Sequence, residues 1–285
     1  MNLLDVDFKK KFALMPYVKL GCGGCVPLAI STVKFSDFDD MIKSANISLK
    51  YASMDYNATK NGINTKDASN ANRFFHLKHA ILDYSACYDY CLLMVFFAFG
   101  FCGQISSDKD YKEALRKCRF KSSSNNNQVF AIYDALNTLS LNNVYATELL
   151  NRLDALMKDR DRLAMWANAI KHRGNIYHLG LEPIFPEIAY TTSKFYFNEE
   201  GVIQFTDGNK LSLSDIINPQ IISNEEGINE LIKHNKILCE FANWLYDFVG
   251  FTKVESSKDM TVAFIDIRPF IYKDLTNMSN CEYLL

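Results

Sequence analysis

Apolar side chains at positions 74, 77, 81, 84, 88, 92, 95 and 99 recur in steps of three and four from Asn72 to Phe101. That repeat is the signature of one continuous helical face. About 30 residues at 1.5 Å each make a rod roughly 45 Å long. A rod of that length with one greasy side is stable only among other helices, so it predicts the central helix of a bundle.

The rest of the chain supplies partners for it. Ser107–Arg119 reads as a shorter amphipathic helix opened by a Ser-Ser-Asp cap and closed by the polar run Lys121–Asn127. Helix resumes over Gln128–Leu139 and again over Val144–Arg173, where apolar positions 149, 153, 156, 163, 167 and 170 form a stripe and Gly174 marks the stop. Glu225–Val249 places Ile228, Leu231, Leu238, Phe241, Leu245 and Phe248 on one side. Between these helices, Ile188–Phe197 and Val202–Thr206 flank a turn at Asn198–Gly201 and predict a small inserted hairpin within 188–213. Thr261–Ile271 reads as a strand.

Residues 1–71 read as an irregular N-terminal extension. Short strand-like runs at Tyr17–Leu20 and Ile30–Phe35 are interrupted by Gly21, Gly23, Gly24 and Pro27, and Tyr56–Asn72 has the polar composition of an exposed loop. The expected organisation is therefore an extension over 1–71, a helical bundle over 72–253 with the hairpin inserted, and a tail over 254–285. The fold class is mainly α, an antiparallel helical bundle with small β-hairpin appendages.

With 285 residues, 48% of them hydrophobic and 22% charged, the chain can bury a large core. A net charge of −2 rules out a global pull toward nucleic acid or acidic membranes, so a polyanion requires a local patch. One exists between Asn151 and His178, where Arg152, Lys158, Arg160, Arg162, Lys171 and Arg173 outnumber Asp154, Asp159 and Asp161. The start of the chain has no small-residue cleavage site after its apolar run, and Cys91–Phe101 is too short to span a bilayer. Both features predict a cytoplasmic protein without a membrane partner. Eight cysteines without framework spacing predict reduced thiols used as small hydrophobes.

The polar run Asn168–Arg173 ends the Val144–Arg173 helix. At 100° per residue, Asn168 and His172 lie about 40° apart on adjoining turns, close enough for one reacting group to touch both. An ordinary helix end also accommodates these residues, since Lys171, His172 and Arg173 complement the helix dipole without any further role.

Late in a long helix of a helical bundle, Asn168 and His172 followed by Arg173 and Gly174 resemble the signature of the HEPN superfamily, in which an Arg precedes the polar residue. Ala167 stands here in place of that Arg. The resemblance implies a homodimeric, metal-independent endoribonuclease of toxin–antitoxin or antiviral defence type, acting on RNA without a cofactor and regulated by an antitoxin or another protein. It implies His172, Asn168 and Arg173 as catalytic, with Lys171, Arg173, Arg162 and Asn175 contacting RNA. A HEPN-like scaffold that binds without cleaving is the alternative. The chemistry suits these residue types: RNA cleavage without a metal needs an acid or base titrating near neutrality and a cation for the phosphorane charge. Arg162 lies about 15 Å along the axis from His172 and cannot stand in for an Arg at 167 within one helix.

A different class is open on the central helix. His76, His79, Asp83 and Cys87 fall within an arc of about 80° and have zinc-compatible chemistry, with Cys22 and Cys25 as further candidates. The ordinary reading is a helical i, i+4 pair beside core cysteines. Asp83 and His79 also suit a supporting role toward His172, while Tyr84, Tyr88 and Tyr90 read as core or groove wall.

Overall fold

The computed structural model describes residues 26–54, 65–118, 131–172, 176–178, 195–197, 203–205 and 220–249. Among them the chain is mainly helical. Its helices are α1 (Val26–Ala52), α2 (Thr65–Ala98), α3 (Asp108–Cys118), α4 (Ala131–Ser140), α5 (Val144–Lys158), α6 (Asp161–His172) and α7 (Asn224–Val249). Four short strands, β1 (Ile176–His178), β2 (Phe195–Phe197), β3 (Ile203–Phe205) and β4 (Gln220–Ile222), complete the described elements.

The apolar repeat of the central helix is buried throughout. Phe74, Leu77, Ile81, Tyr84, Tyr88, Leu92, Val95 and Phe99 are all within 2% of complete burial. The helix begins at Thr65, inside the stretch expected to be loop, and gives way at Gly100, whose φ of 67° is the left-handed value that glycine adopts without strain. One 30-residue window of α2, Ser69–Ala98, is long and apolar enough to cross a membrane, but 67% of its most apolar stretch is buried inside the fold. A core helix has that profile.

The N-terminal expectation is corrected. Ile30–Phe35 is not a strand but part of α1, which runs 27 residues. Phe35, Phe38, Ile42, Ala45, Leu49 and Ala52 alternate steps of three and four and are fully buried. Pro27 falls in the first turn, where a missing N–H costs nothing, so it starts this helix rather than breaking it. Tyr17–Leu20, Cys22 and Cys25 lie outside the described residues, as do Lys121–Asn127 and the expected strand at Thr261–Ile271.

A second correction concerns 144–173, which forms two helices with a turn at Asp159–Arg160. The charges fit two sets of helix ends: Lys158 occupies the last turn of α5 and Asp161 the first turn of α6, each favourable to the local dipole. Asn143 caps α5, accepting hydrogen bonds from the N–H groups of Tyr145 (2.8 Å) and Ala146 (3.1 Å). Ser107 caps α3 in the expected way, accepting from the Asp110 N–H at 3.2 Å while the Asp110 carboxylate accepts from the Ser106 N–H at 3.0 Å.

The chain divides into two compact units. One comprises 43–85 and 160–235 with the first four residues; the other comprises 5–42, 86–159 and 236–285. In the second unit, Phe35, Phe38, Tyr88, Val95, Leu149, Leu153 and Leu245 are fully buried. Ser31 ties α1 to α2 there by donating to the Met94 carbonyl at 2.9 Å, and Trp244 ties α7 to α5 by donating to Glu148 at 3.1 Å. The cysteines at 87, 91, 102 and 239 are reduced and buried. Burial, reinforced by Cys239 and Asp89, pushes the Cys91 thiol well above its usual range and leaves it inert.

In the first unit, Leu49, Phe74, Leu77, Leu163, Trp166, Ile176 and Leu231 form the core. The strands β1 and β4 pair in parallel with Ile176 opposite Gln220 and His178 opposite Ile222, a ladder that no periodicity in the sequence announces. β2 and β3 pair antiparallel with Phe197 opposite Ile203, forming the expected hairpin.

Gly227 marks the tightest approach in this unit. A Cβ there meets the Leu77 side chain at 2.5 Å from Cδ2, 3.1 Å from Cδ1 and 3.2 Å from Cγ. Leu77 is fully buried and its whole branch would have to shift. Gly227→Ala gains about 1 kcal/mol in helix propensity but incurs about 1–3 kcal/mol of overpacking. The expected outcome is a net loss of roughly 1 kcal/mol, with Gly227→Val losing more, measured as shifts in denaturant midpoint.

Candidate functional site

The sequence on α6 alternates two kinds of surface. Leu163, Trp166 and Ala167 are buried to within 1%, and Ala169 is 5% exposed. On the other side Asp161, Arg162, Met165, Asn168 and Lys171 are exposed. The helix starts where the Arg160 carbonyl accepts from the Ala164 N–H at 2.9 Å, and β1 packs against it beyond its end. Asn168 and Lys171 therefore stand on the outer face of a helix anchored from within. His172 is the last helical residue, one turn beyond Asn168. Arg173 and Asn175 lie outside the described residues.

Arg162 is engaged elsewhere. Its guanidinium donates to Glu226 on α7, lies 3.6 Å from Glu230 and sits 4.8 Å over the Trp166 ring. Glu230 in turn faces Lys233 at 3.9 Å and the fully buried His234 at 3.4 Å. The two carboxylates neutralise Arg162, so its principal effect is to tie α6 to α7. Among the described residues of α6, the cation left on this face is Lys171. Ala167 is in the core.

Two buried imidazoles belong to this unit and were not singled out by spacing. His178, at the end of β1, is 7% exposed and meets Phe74 edge to face at 5.2 Å. His234 was signalled in the sequence only by Glu230 four residues earlier on the same helix.

The zinc-compatible line on α2 is not assembled. Among the described residues no group of three or more His, Cys, Asp or Glu side chains is gathered to hold a metal. Asp83 accepts from the Ser44 hydroxyl at 2.8 Å, and Cys87 is completely buried. His79 is exposed. His76 stacks on Tyr51 at 5.2 Å, and partial burial, helped by His79, holds its imidazole below the usual range. Tyr84 and Tyr88 are fully buried, whereas Tyr90 is half-buried under the Lys34 ammonium at 5.9 Å.

No family model, curated protein or solved structure matches the chain. The functional reading therefore rests on the residues themselves.

Proposed function

We propose that this protein acts on RNA as a HEPN-like, metal-independent endoribonuclease of the toxin or antiphage type, built on an antiparallel helical bundle and working as a homodimer in the cytoplasm. The observation that carries the reading is the placement of Asn168 and Lys171. Both are exposed on the outer face of α6, beside its terminal His172, while the opposite face is locked into the core.

The reaction divides naturally among these residues. The 2′-oxygen of the RNA forms a bond to phosphorus as its proton passes to a base, and the bond from phosphorus to the 5′-oxygen breaks as that oxygen receives a proton. His172 takes the acid or base task, with the second copy in a dimer available for the other. The Asn168 amide positions the phosphate by donating to a non-bridging oxygen. Lys171 and Arg173 oppose the charge that builds up on the phosphorane. The products are a 2′,3′-cyclic phosphate and a 5′-hydroxyl.

The decisive assay is RNA cleavage by the full chain in EDTA, with end-group analysis. Cyclic phosphate ends are expected, and His172→Ala is expected to lower the rate by about 10²–10⁴-fold without changing the melting temperature. Cleavage that requires a divalent metal, or that persists in His172→Ala, overturns the assignment. Expression toxicity relieved by His172→Ala is the cellular counterpart.

A second reading is favoured by the burial of Ala167 and the neutralisation of Arg162. Both leave this face with less positive charge than phosphorane stabilisation calls for. On that reading the same surface binds RNA without turnover, and both the native chain and His172→Ala retain affinity while neither cleaves.

A further inference from the structure

Tyr51 and Phe75 are each 43% exposed on neighbouring helices of the first unit, flanked by Ile47 at 57% and Met54 at 45%. Large rings left this open on a folded surface are unusual enough to ask what covers them. Each ring is backed on one side by a nitrogen-bearing group. His76 lies against Tyr51 with centroids 5.2 Å apart and planes tilted by 30°, and the Lys78 ammonium sits 5.6 Å over Phe75.

The charge in this part of the sequence is mainly basic. By sequence, 43–85 holds Lys43, Lys50, Lys60, Lys66, Arg73 and Lys78 against Asp55, Asp67 and Asp83, with His76 and His79 besides. The whole chain has 33 acidic residues against 31 basic ones, so this stretch, with six basic residues and three acidic, is a local concentration of positive charge. Of the acids there, Asp83 accepts from the Ser44 hydroxyl, while Glu225 of α7 lies 3.3 Å from Arg73. Lys50 and His79 are exposed beside the rings.

We propose that this outer face of α1 and α2, carried by Lys50, Tyr51, Phe75, Lys78 and His79, is a binding platform for single-stranded RNA. The charge fits a polyanion, and a purely apolar protein partner gains nothing from it. Exposed rings interleaved with cations match a strand whose bases are free to stack, which a duplex denies. The site stands on α1 and α2 alone and holds whether or not His172 cleaves.

The test uses the full chain and a fluorescently labelled 2′-O-methyl oligouridylate, which has no free 2′-hydroxyl and resists cleavage. Anisotropy titration is expected to show salt-sensitive binding. Tyr51→Ala or Phe75→Ala should each weaken it about tenfold, consistent with loss of one stacked base. Lys50→Gln should lower the slope of log affinity against log salt by about 0.7, the value of one single-strand phosphate contact. Absence of binding by the native chain, equal affinity for a duplex of the same length, or unchanged affinity in Tyr51→Ala/Phe75→Ala overturns the proposal. So does loss of self-association in that double variant, measured by sedimentation, in place of loss of RNA binding.

Discussion

Trp166→Ala should destabilise the fold by about 3–5 kcal/mol, the cost of truncating a large aromatic side chain in a close-packed core. Trp166 is 1% exposed and heads the fully buried side chains by volume. Its removal opens a void in the core and also takes away the ring beneath the Arg162 guanidinium, 4.8 Å from its centroid. Since α6 carries Asn168, Lys171 and His172, a loosened helix would also disperse the candidate site. A fall in melting temperature of about 10 °C is the expected readout, at the usual few degrees per kcal/mol for a chain of this size. Trp166→Phe keeps most of the packing and should lose less than half as much. If Trp166→Ala melts within a degree or two of the native chain, α6 is not anchored as described.

Asn46→Ala should be the most damaging polar substitution, at about 2–4 kcal/mol. A single oxygen, Asn46 Oδ1, accepts from the Tyr84 hydroxyl at 2.6 Å and from the Asn235 amide at 2.7 Å. Tyr84 is fully buried and Asn235 is 2% exposed, so each loses this acceptor where water has little access. The three residues come from α1, α2 and α7, and that one atom joins all three helices. Asn46→Asp keeps the acceptor and should recover most of the loss at neutral pH, whereas Tyr84→Phe should cost only about 1 kcal/mol because it removes one bond and leaves no stranded donor. Urea unfolding of the three variants separates these outcomes. Equal destabilisation by Asn46→Ala and Asn46→Asp would mean that the carboxamide acts through its shape and not through its oxygen.

The helical character was legible because burial follows period. Every apolar position from Phe74 to Phe99 in the repeat is buried, and so are Ile228, Leu231, Leu238, Phe241, Leu245 and Phe248 on α7. The same repeat from Phe35 to Ala52 is hidden by its surroundings. Three glycines and a proline precede it, and β-branched Ile30, Thr32 and Val33 give its start the look of a strand. The turn at Asp159–Arg160 escapes periodicity for another reason: Leu156 and Leu163 are seven residues apart, close to two full turns, so the stripe stays in phase across the break.

At the candidate site, the polar cluster was expected beside the apolar stripe, and Asn168 and Lys171 are exposed there. The fate of Arg162 does not, because its acceptor Glu226 is 64 residues away and only the folded chain brings them together. A local count of cations overstates the free charge for that reason. The parallel pairing of β1 with β4 is hidden in the same way, since three-residue strands are too short to show alternation.

That ladder has a topological consequence. Because His178 and Gln220 belong to adjacent strands, the two ends of 179–219 are held in one short ladder of the first unit. The ladder fixes both ends of that connection, and for a flexible connection doubling the length adds only about 0.6 kcal/mol of closure entropy. Residues inserted between His178 and Gln220 are therefore expected to leave the melting temperature of the chain nearly unchanged, provided that the ladder still pairs.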